Sequence, residues 1–334
     1  MPRARRYIKS NHLYEVSFRA RRSLPLPCTN YMKILIHSIV ARVQRDAKVI
    51  LHHAQWEGNH PHLLCTAKDA NECQRFYGQL KKQLTEAVKR LTGEKHLSLW
   101  EDRASVIEIP TLDDAIAKIG YIYANPSNDD LVSAIEDYPG VTTWEAFTAG
   151  REKNDVDYCA SSVHPWIRQP MISKLPRRSV DSKQDCAISR SMLAAAQESH
   201  CLRIYPNSWI KVFIENPSPE EVQDILRRCY ENLRFREQRN CERRVRERKK
   251  VMGATRLSQT PILGKHIPKK HGRRIFVQSI YKEVRLRLIQ EWKEVEARCC
   301  NAYQHRCLGD YSVSWPPGTF PPPLPPLANA LVCH

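Results

Sequence analysis

The order in which strand-like and helix-like periods follow one another is the feature that most constrains the fold. Apolar residues alternate over 13–20, as in a half-buried strand, and an apolar stripe with helical spacing follows over 30–47. Two more strand-like runs, 48–56 and 59–67, meet at a tight turn around Gly58, which predicts a hairpin.

The same order continues through a second helix, a fourth strand and a third helix. The second helix is closed by Gly93, and the strand covers 104–109. The third helix begins after Thr111, a capping residue, and is expected to stop at Pro126. The resulting βαββαβα order predicts an α+β fold of ferredoxin-like arrangement, with an antiparallel sheet and helices on one face.

Beyond residue 150 the periodicity weakens, and the chain divides into four predicted parts. Residues 1–148 form the βαββαβα domain and 149–199 a linker or strap. Residues 200–306 form a basic, mainly helical extension, and 307–334 a proline-rich tail that is expected to be a strap on the surface or disordered.

The charge balance favours a polyanionic partner. The chain carries 53 Lys and Arg against 36 Asp and Glu, a formal charge of +17. The segment from Arg234 to Arg274 is strongly basic and crosses a breaker-rich loop, which a helix surface of paired charges would not explain. We therefore expect contacts to a nucleic-acid backbone.

Other bulk features predict a soluble cytoplasmic protein. Of the 12 cysteines, none forms a C-x-x-C pair, so we expect reduced thiols rather than a zinc site. The N-terminus has no apolar run typical of a secretory signal, and the longest apolar stretch is too short to span a membrane.

The hairpin contains two histidines, His60 and His62, separated by one residue. On a strand, residues i and i+2 share a face with Cα atoms about 7 Å apart, so the two imidazoles can approach one metal ion. Two histidines on a solvated face are also ordinary, so the pair alone is a weak signal. His52 and His53 on the partner strand are expected to be surface residues rather than ligands.

The third helix offers further polar groups. Tyr121 and Asn125 are four residues apart and lie on one helix face, so a phenol and a carboxamide project together. If this helix crosses the sheet near the histidines, Asn125 or a nearby carboxylate can complete a metal site beside Tyr121. Alternatively, Tyr121 is a core aromatic, and Tyr123 is the competing candidate nucleophile.

Three sequence blocks together resemble the REP-associated tyrosine transposases, a single-tyrosine family of the HUH endonuclease superfamily. They are "NHPHLL" at 59–64, "LWEDR" at 99–103 and "YIYANPSNDDLVSAIEDYPGVTTW" at 121–144, with "MPRARRYI" and "VSFRARRS" near the N-terminus. The resemblance covers residues 1–148.

The resemblance implies a role for each matching position. His60 and His62 would bind Mg²⁺ or Mn²⁺ with Asn125, and Tyr121 would be the nucleophile that forms a 5′-phosphotyrosine link on DNA. The implied function is a transposase that cuts and rejoins single-stranded or hairpin DNA, as a monomer or a homodimer.

The predicted DNA contacts are basic residues near the N-terminus, in the "LWEDR" block and in the extension. They are Arg3, Arg5, Arg6, Arg19, Arg21, Arg22, Arg103, Arg243, Arg244, Arg246, Lys249, Lys250, Lys269, Lys270, Arg273 and Arg274.

The sequence departs from the family at several positions. Pro61 stands where the motif normally has a bulky apolar residue, and because proline cannot donate to a β-ladder the histidine strand is expected to be an edge. Gly58 replaces a common proline, and "PSNDDLV" replaces a more basic stretch. Two alternatives stay open: a metal-dependent phosphodiesterase that uses water, and an inactive protein that binds hairpin repeats.

Overall fold

A computed structural model of the chain describes residues 5–101, 103–168, 180–266 and 276–323. Within these ranges the chain forms six strands and eight α-helices. The strands are β1 Leu13–Ser17, β2 Val49–Glu57, β3 His60–Ala67, β4 Ser105–Glu108, β5 Ala160–Pro165 and β6 Ser199–Ile204. The helices are α1 Asn30–Asp46, α2 Ala70–Thr92, α3 Leu112–Asn128, α4 Trp144–Lys153, α5 Ser182–Ala194, α6 Pro219–Arg246, α7 Ala254–Ser258 and α8 Lys282–Cys307. In these residues no helix is long and apolar enough to cross a bilayer.

All six strands belong to one sheet, in the order β4-β1-β3-β2-β6-β5. The pairs β4–β1, β1–β3, β3–β2 and β6–β5 are antiparallel, whereas β2 and β6 run parallel. The predicted α+β class with a mostly antiparallel sheet is confirmed. The segment predicted as a linker contributes β5, and β6 joins the same sheet, so the chain continues the sheet after residue 148.

The helices cover both faces of the sheet, which corrects the expectation of helices on one face. Residues of α1 and α2 share an apolar cluster with Leu63 and Cys65 of β3. Leu64, which points the other way, belongs to a second cluster with α3 and α6. Because successive strand residues alternate between faces, His60 and His62 project with Leu64 toward α3.

A bulge in β2 decides which of its residues face α3. The register between β2 and β3 shifts between Leu51 and His53. Val49 and Leu51 before the shift, and Ala54 and Trp56 after it, pack in the cluster on the α1 side. The extra residue therefore shifts by one which residues of β2 face each side of the sheet. This shift places His53, Gln55 and Glu57 on the α3 side.

The expectation that β3 is an edge strand is wrong, because β3 lies between β1 and β2. Pro61 is paired with Trp56, whose backbone N–H donates to Val141 O and whose carbonyl accepts from Tyr138 Oη. That pair therefore exchanges no ladder hydrogen bonds. On the other side of β3, the last pair with β1 is Ser17 with His62, so Pro61 lies beyond that ladder. Neither neighbouring strand therefore needs a backbone N–H from Pro61, and the interior strand tolerates the proline.

The third helix begins as predicted, but it does not stop at Pro126. Thr111 Oγ1 accepts a hydrogen bond from the Asp114 backbone N–H at the start, and the helix continues through Pro126 to Asn128. At its end, the buried guanidinium of Arg244 on α6 donates to Ser127 O over 2.6 Å. The extension thus supplies a partner for a carbonyl at the C-terminus of α3.

We expect Arg244→Met to destabilise the protein by about 2–4 kcal/mol, because it leaves Ser127 O without its charged donor in the interior. Arg246→Met on the same helix is the control, since Arg246 is exposed and its replacement should change stability by less than ~0.5 kcal/mol. Urea unfolding measures both. Equal stability of the two variants would contradict the structural role of Arg244.

Candidate functional site

The two histidines of β3 lie side by side under α3. Their ring centroids are 4.8 Å apart, and the residues are 6% and 7% exposed. The tight turn after Glu57 starts β3 at His60, and the strand period brings His62 to the same face. The structure thus brings the predicted pair together in a nearly enclosed position.

Each histidine is held through the same ring nitrogen. His60 Nδ1 donates to Asn59 Oδ1 over 2.6 Å, and His62 Nδ1 donates to a carboxylate oxygen of Glu15 over 2.7 Å. Because both partners are acceptors, Nδ1 carries a hydrogen in each ring, and in the neutral imidazole the lone pair is then on Nε2. The Nε2 atom of His62 is buried without a hydrogen-bond partner in the described part of the chain.

Glu15 connects the histidine strand to α3 through a buried ion pair. Its second carboxylate oxygen accepts from Lys118 Nζ over 2.7 Å, and Lys118 also donates to Gln278 Oε1. Burial alone would raise the pKa of Glu15, but the hydrogen bond from His62 and the charge of Lys118 hold that pKa at about 2. Glu15 therefore orients His62 as a carboxylate at neutral pH.

Tyr121 lies on α3 directly over this network. Its ring is 5.7 Å from the His62 ring, centroid to centroid, and Lys118 Nζ is 5.0 Å from the centroid of the phenol. Burial, together with the negative charges of Glu15 and Glu57, raises the pKa of Tyr121 to about 12. At neutral pH, Tyr121 is thus an uncharged phenol beside the unpartnered Nε2 of His62.

Asn125 is one turn further along α3, where it meets the end of β2. It is 3% exposed, and its side chain hydrogen-bonds Glu57, the cross-strand neighbour of His60. A carboxylate oxygen of Glu57 is 3.9 Å from His60 Nε2, and the other has no hydrogen-bond partner among the described residues. Burial, reinforced by the charge of Asp129, raises the pKa of Glu57 to about 8.

The donor set of this site is mixed. Among the described residues, no three His, Cys, Asp or Glu side chains are placed to hold a metal ion together. Amide oxygens would have to complete an imidazole pair, and two buried amides lie nearby. One is Asn125, and the other is Gln55, which is paired across the strands with His62 and has both amide atoms unpartnered in this part of the chain. Imidazole and amide donors of this kind fit a divalent cation.

Tyr123, the competing candidate, is a core residue. It is 1% exposed, and its hydroxyl lies 2.8 Å from His53 Nδ1 and 2.9 Å from Thr143 Oγ1. Its ring packs against Trp144 and Phe147. Of the two tyrosines, only Tyr121 lies against the histidine pair in the described structure.

The expectation that His52 and His53 are surface residues is wrong, because both are buried. His52 lies at the bulge and donates through Nδ1 to Tyr205 O, just beyond β6. Burial lowers the pKa of His52 to about 4. Because Tyr205 lies beyond residue 148, the first 148 residues alone could not reveal the burial of His52, whereas His53 is buried against Tyr123 and Phe147.

The predicted DNA contacts fall into different environments. Several are engaged within the protein: Arg5 with Glu296, Arg6 with Tyr77 and Ala104, Arg21 with Trp100 O, and Arg243 with Asp130. Arg244 is buried, which is inconsistent with a phosphate contact. Arg19 is half-buried, and its charge partly offsets the rise in the pKa of Glu57 and of Tyr121. Exposed positions are Arg22, Arg103, Arg246, Lys249 and Lys250, whereas Arg3, Lys269, Lys270, Arg273 and Arg274 lie outside the described residues.

Four site residues escaped sequence reasoning: Glu15, Gln55, Glu57 and Lys118. Glu15 alternates with apolar residues, so the strand pattern assigns it to solvent. Glu15 is paired with Leu64 in the β1–β3 ladder and so lies on the same sheet face as His62, which is a signal available once the strand order is known. Gln55 and Glu57 depend on the bulge.

Comparison with known proteins adds little to this geometry. No protein-family model and no curated protein sequence matches the chain. Among solved structures, the chain is similar to a REP-associated tyrosine transposase bound to a REP hairpin, with 23% identity over 45% of this chain and 86% of that one. The TM-score of 0.38 is too low to establish a shared fold, so functional assignment rests on the site itself.

The raised pKa of Glu57 has a measurable consequence for stability. The folded protein binds the proton of the Glu57 carboxyl group more tightly than the unfolded chain does. The free energy of unfolding therefore falls as the pH rises from about 4.5 toward 8, by at most about 1.4 kcal/mol per pH unit. Glu57→Gln, which cannot ionise, should gain stability relative to the unsubstituted protein across this range. Urea unfolding with chelator present measures the difference, and the exposed Glu215→Gln is the control. A difference that does not change with pH would contradict the buried carboxylate.

Proposed function

We propose that this protein is a transposase-type enzyme that cleaves and rejoins single-stranded or hairpin DNA through Tyr121. The observation that carries the proposal is the juxtaposition of Tyr121 with His62, whose Nε2 is unpartnered and whose Nδ1 is fixed by a buried carboxylate. Most buried polar atoms are hydrogen-bonded, so the unpartnered Nε2 beside Tyr121 is a position that a ligand can occupy.

His60, His62 and Asn125 are the residues that would hold a divalent ion, Mg²⁺ or Mn²⁺. The unpartnered Nε2 of His62 and the tautomers set by Asn59 and Glu15 suit neutral imidazole ligands. When bound, the ion would neutralise charge on a non-bridging oxygen of the scissile phosphate.

The reaction that suits these groups is a transesterification. The Tyr121 oxygen forms a bond to phosphorus, the bond from phosphorus to the 3′ oxygen breaks, and the departing 3′ oxygen ends as a hydroxyl while the phenol loses its proton. The products are a 5′-phosphotyrosine and a free 3′-OH. Attack by another 3′-OH reverses the step and restores the phenol, which is strand transfer.

The chain's own groups support this use of Tyr121. Lys118 Nζ lies 5.0 Å from the centroid of the Tyr121 ring, and its partner Glu15 keeps Lys118 in place. Arg19, the cation whose charge lowers the pKa of Tyr121, lies at the same site. A half-buried cation at this position suits a DNA phosphate better than a neutral substrate.

We further propose a ferredoxin-like assignment for the first four strands. Their order β4-β1-β3-β2, with antiparallel neighbours throughout, supports it. In this arrangement, β1 and β3 are the two central strands, and they carry Glu15 and the histidine pair.

Tyr121→Phe should keep the fold and DNA affinity but abolish both cleavage and the covalent protein–DNA adduct, because only the attacking oxygen is lost. Labelled single strands from the DNA flanking the gene, resolved on a denaturing gel, report both products. Tyr123→Phe is the matched control and should still cleave, although it loses a buried hydroxyl and about 1 kcal/mol of stability. Nicking by Tyr121→Phe without any adduct would favour the water-dependent phosphodiesterase, and binding without cleavage by the unsubstituted protein would favour the inactive binder.

His60→Ala and His62→Ala should each reduce cleavage about 100-fold or more, since each removes one of few candidate metal ligands. Chelator should have the same effect on the unsubstituted protein, and Mg²⁺ or Mn²⁺ should restore it. The exposed His96→Ala controls for loss of an imidazole. Undiminished cleavage by the double variant in chelator would refute the metal assignment.

A further inference from the structure

Helix α6 of the C-terminal extension packs against the turn of α3 that carries Tyr121. Asn232 of α6 lies so close to Gly120 that a Cβ atom built on this glycine would overlap Asn232 Oδ1. Glycine at position 120 therefore lets the two helices approach closely. Because Tyr121 is the next residue of α3, side chains of α6 lie beside the candidate nucleophile.

Arg236, one turn further along α6, is held against the same turn of α3. Its Nε donates to Asn232 Oδ1 over 2.7 Å, and one of its Nη atoms donates to Ala117 O over 3.4 Å. In an α-helix, the carbonyl of residue 117 also accepts the backbone N–H of residue 121. The guanidinium is therefore fixed at the turn of α3 that ends at Tyr121.

The hydrogen bonds of Arg236 leave its charge in place. Both acceptors are uncharged, one an amide oxygen and the other a backbone carbonyl, and Arg236 forms no ion pair with a carboxylate in the described part of the chain. Burial lowers the pKa of Arg236, the charge of ionised Tyr121 raises it, and the charge of Arg239 lowers it. An arginine remains protonated at neutral pH, so a positive charge faces the phenol from α6.

This cation also has free donors that a ligand can reach. Arg236 and Tyr121 are both partly exposed, and the remaining N–H groups of the guanidinium have no acceptor among the described residues. Lys118, another cation near the phenol ring, is instead engaged by Glu15. The planar array of N–H donors of an arginine matches the oxygens of a phosphate.

We infer that Arg236 binds a phosphate of the DNA strand at Tyr121, so that the C-terminal extension supplies a substrate-binding residue to the candidate site. The inference rests on the proposed function for the identity of the ligand. It adds to the DNA contacts a residue that the sequence analysis did not select, although Arg236 lies within the basic segment from Arg234 to Arg274.

Arg236→Gln tests the phosphate contact by binding alone. Glutamine has a helix propensity close to that of arginine, so the urea midpoint should change little. Affinity for a labelled single strand from the DNA flanking the gene should fall about tenfold, and its log–log slope against salt should flatten by about 0.7, as for one phosphate. Arg227→Gln on the same helix is the control, because Arg227 is exposed and already paired with Asp224 and Glu231. Equal slopes for the two variants would overturn the proposal.

Uncharged methylphosphonate linkages, introduced one at a time into the strand, separate a phosphate contact from a packing role. At one linkage, the loss of charge should weaken binding to the unsubstituted protein about tenfold but leave binding to Arg236→Gln nearly unchanged, because the partner of that phosphate is already absent. If Arg236 only held α6 on α3, every linkage would affect the two proteins equally, which would overturn the proposal.

Arg236→Lys keeps the charge and provides a second test if the glutamine variant does not fold. Its salt slope should equal that of the unsubstituted protein, although lysine cannot reproduce both hydrogen bonds of the guanidinium. A slope flattened by about 0.7 in the lysine variant would mean that packing and not charge matters at this position, and the proposal would be wrong.

Failure of this inference is distinguishable from failure of the proposed function. The binding measurements need no cleavage, and Tyr121→Phe should show the same dependence on Arg236. At saturating DNA, Arg236→Gln should also lower the single-turnover rate of adduct formation about tenfold or more, because no phosphate is then held beside Tyr121. An unchanged rate would refute the placement of the phosphate at Tyr121, whereas adduct formation itself would still support the proposed function. Binding effects of Arg236 without an adduct from any variant would support the phosphate site and refute the proposed chemistry.

Discussion

The buried ion pair between Glu15 and Lys118 is the contact on which the site depends. It joins the central strand β1 to α3, and the same carboxylate orients His62. Removing one partner of such a pair is costly because it leaves an uncompensated charge in the interior. A displacement of α3 along the sheet would therefore break the ion pair and carry Tyr121 away from His62. We interpret the pair as fixing the placement of α3 more than adding net stability.

The second half of the chain completes the first half by supplying partners to its helix ends. Asp185 on α5 accepts hydrogen bonds from the first two backbone N–H groups of α1, which has no side-chain cap of its own. Asp114 in the first turn of α3 accepts the backbone N–H of Ile280, and Arg244 bonds the other end of that helix. Groups that would otherwise be unsatisfied at helix ends are paired by residues more than a hundred positions away. The basic extension is thus part of the support of the site, and not only a source of charge.

The features that depend only on neighbouring residues could be predicted from the sequence. The capping of α3 by Thr111, the helical spacing of Tyr121 and Asn125 and the hairpin with its histidine pair follow from neighbouring residues, and the structure contains each of them. What failed depended on distant segments. The burial of His52 depends on Tyr205 just after β6, and that of His53 depends on α3 and α4. The interior position of β3 depends on strand order, and the internal role of Arg244 on the packing of α6 against α3. A basic residue at a helix end looks the same in sequence whether it faces phosphate or a carbonyl.

The bulge in β2 makes the site sensitive to chain length at one point. Because strand residues alternate with a period of two, the single extra residue near His52 is what puts Gln55 and Glu57 on the same face as the histidines. Substitutions there would change one side chain, but deletion of one residue between Leu51 and His53 would turn the whole segment over, directing Trp56 into the site and Glu57 into the apolar cluster. This short segment therefore tolerates substitutions far better than a change in how many residues it contains.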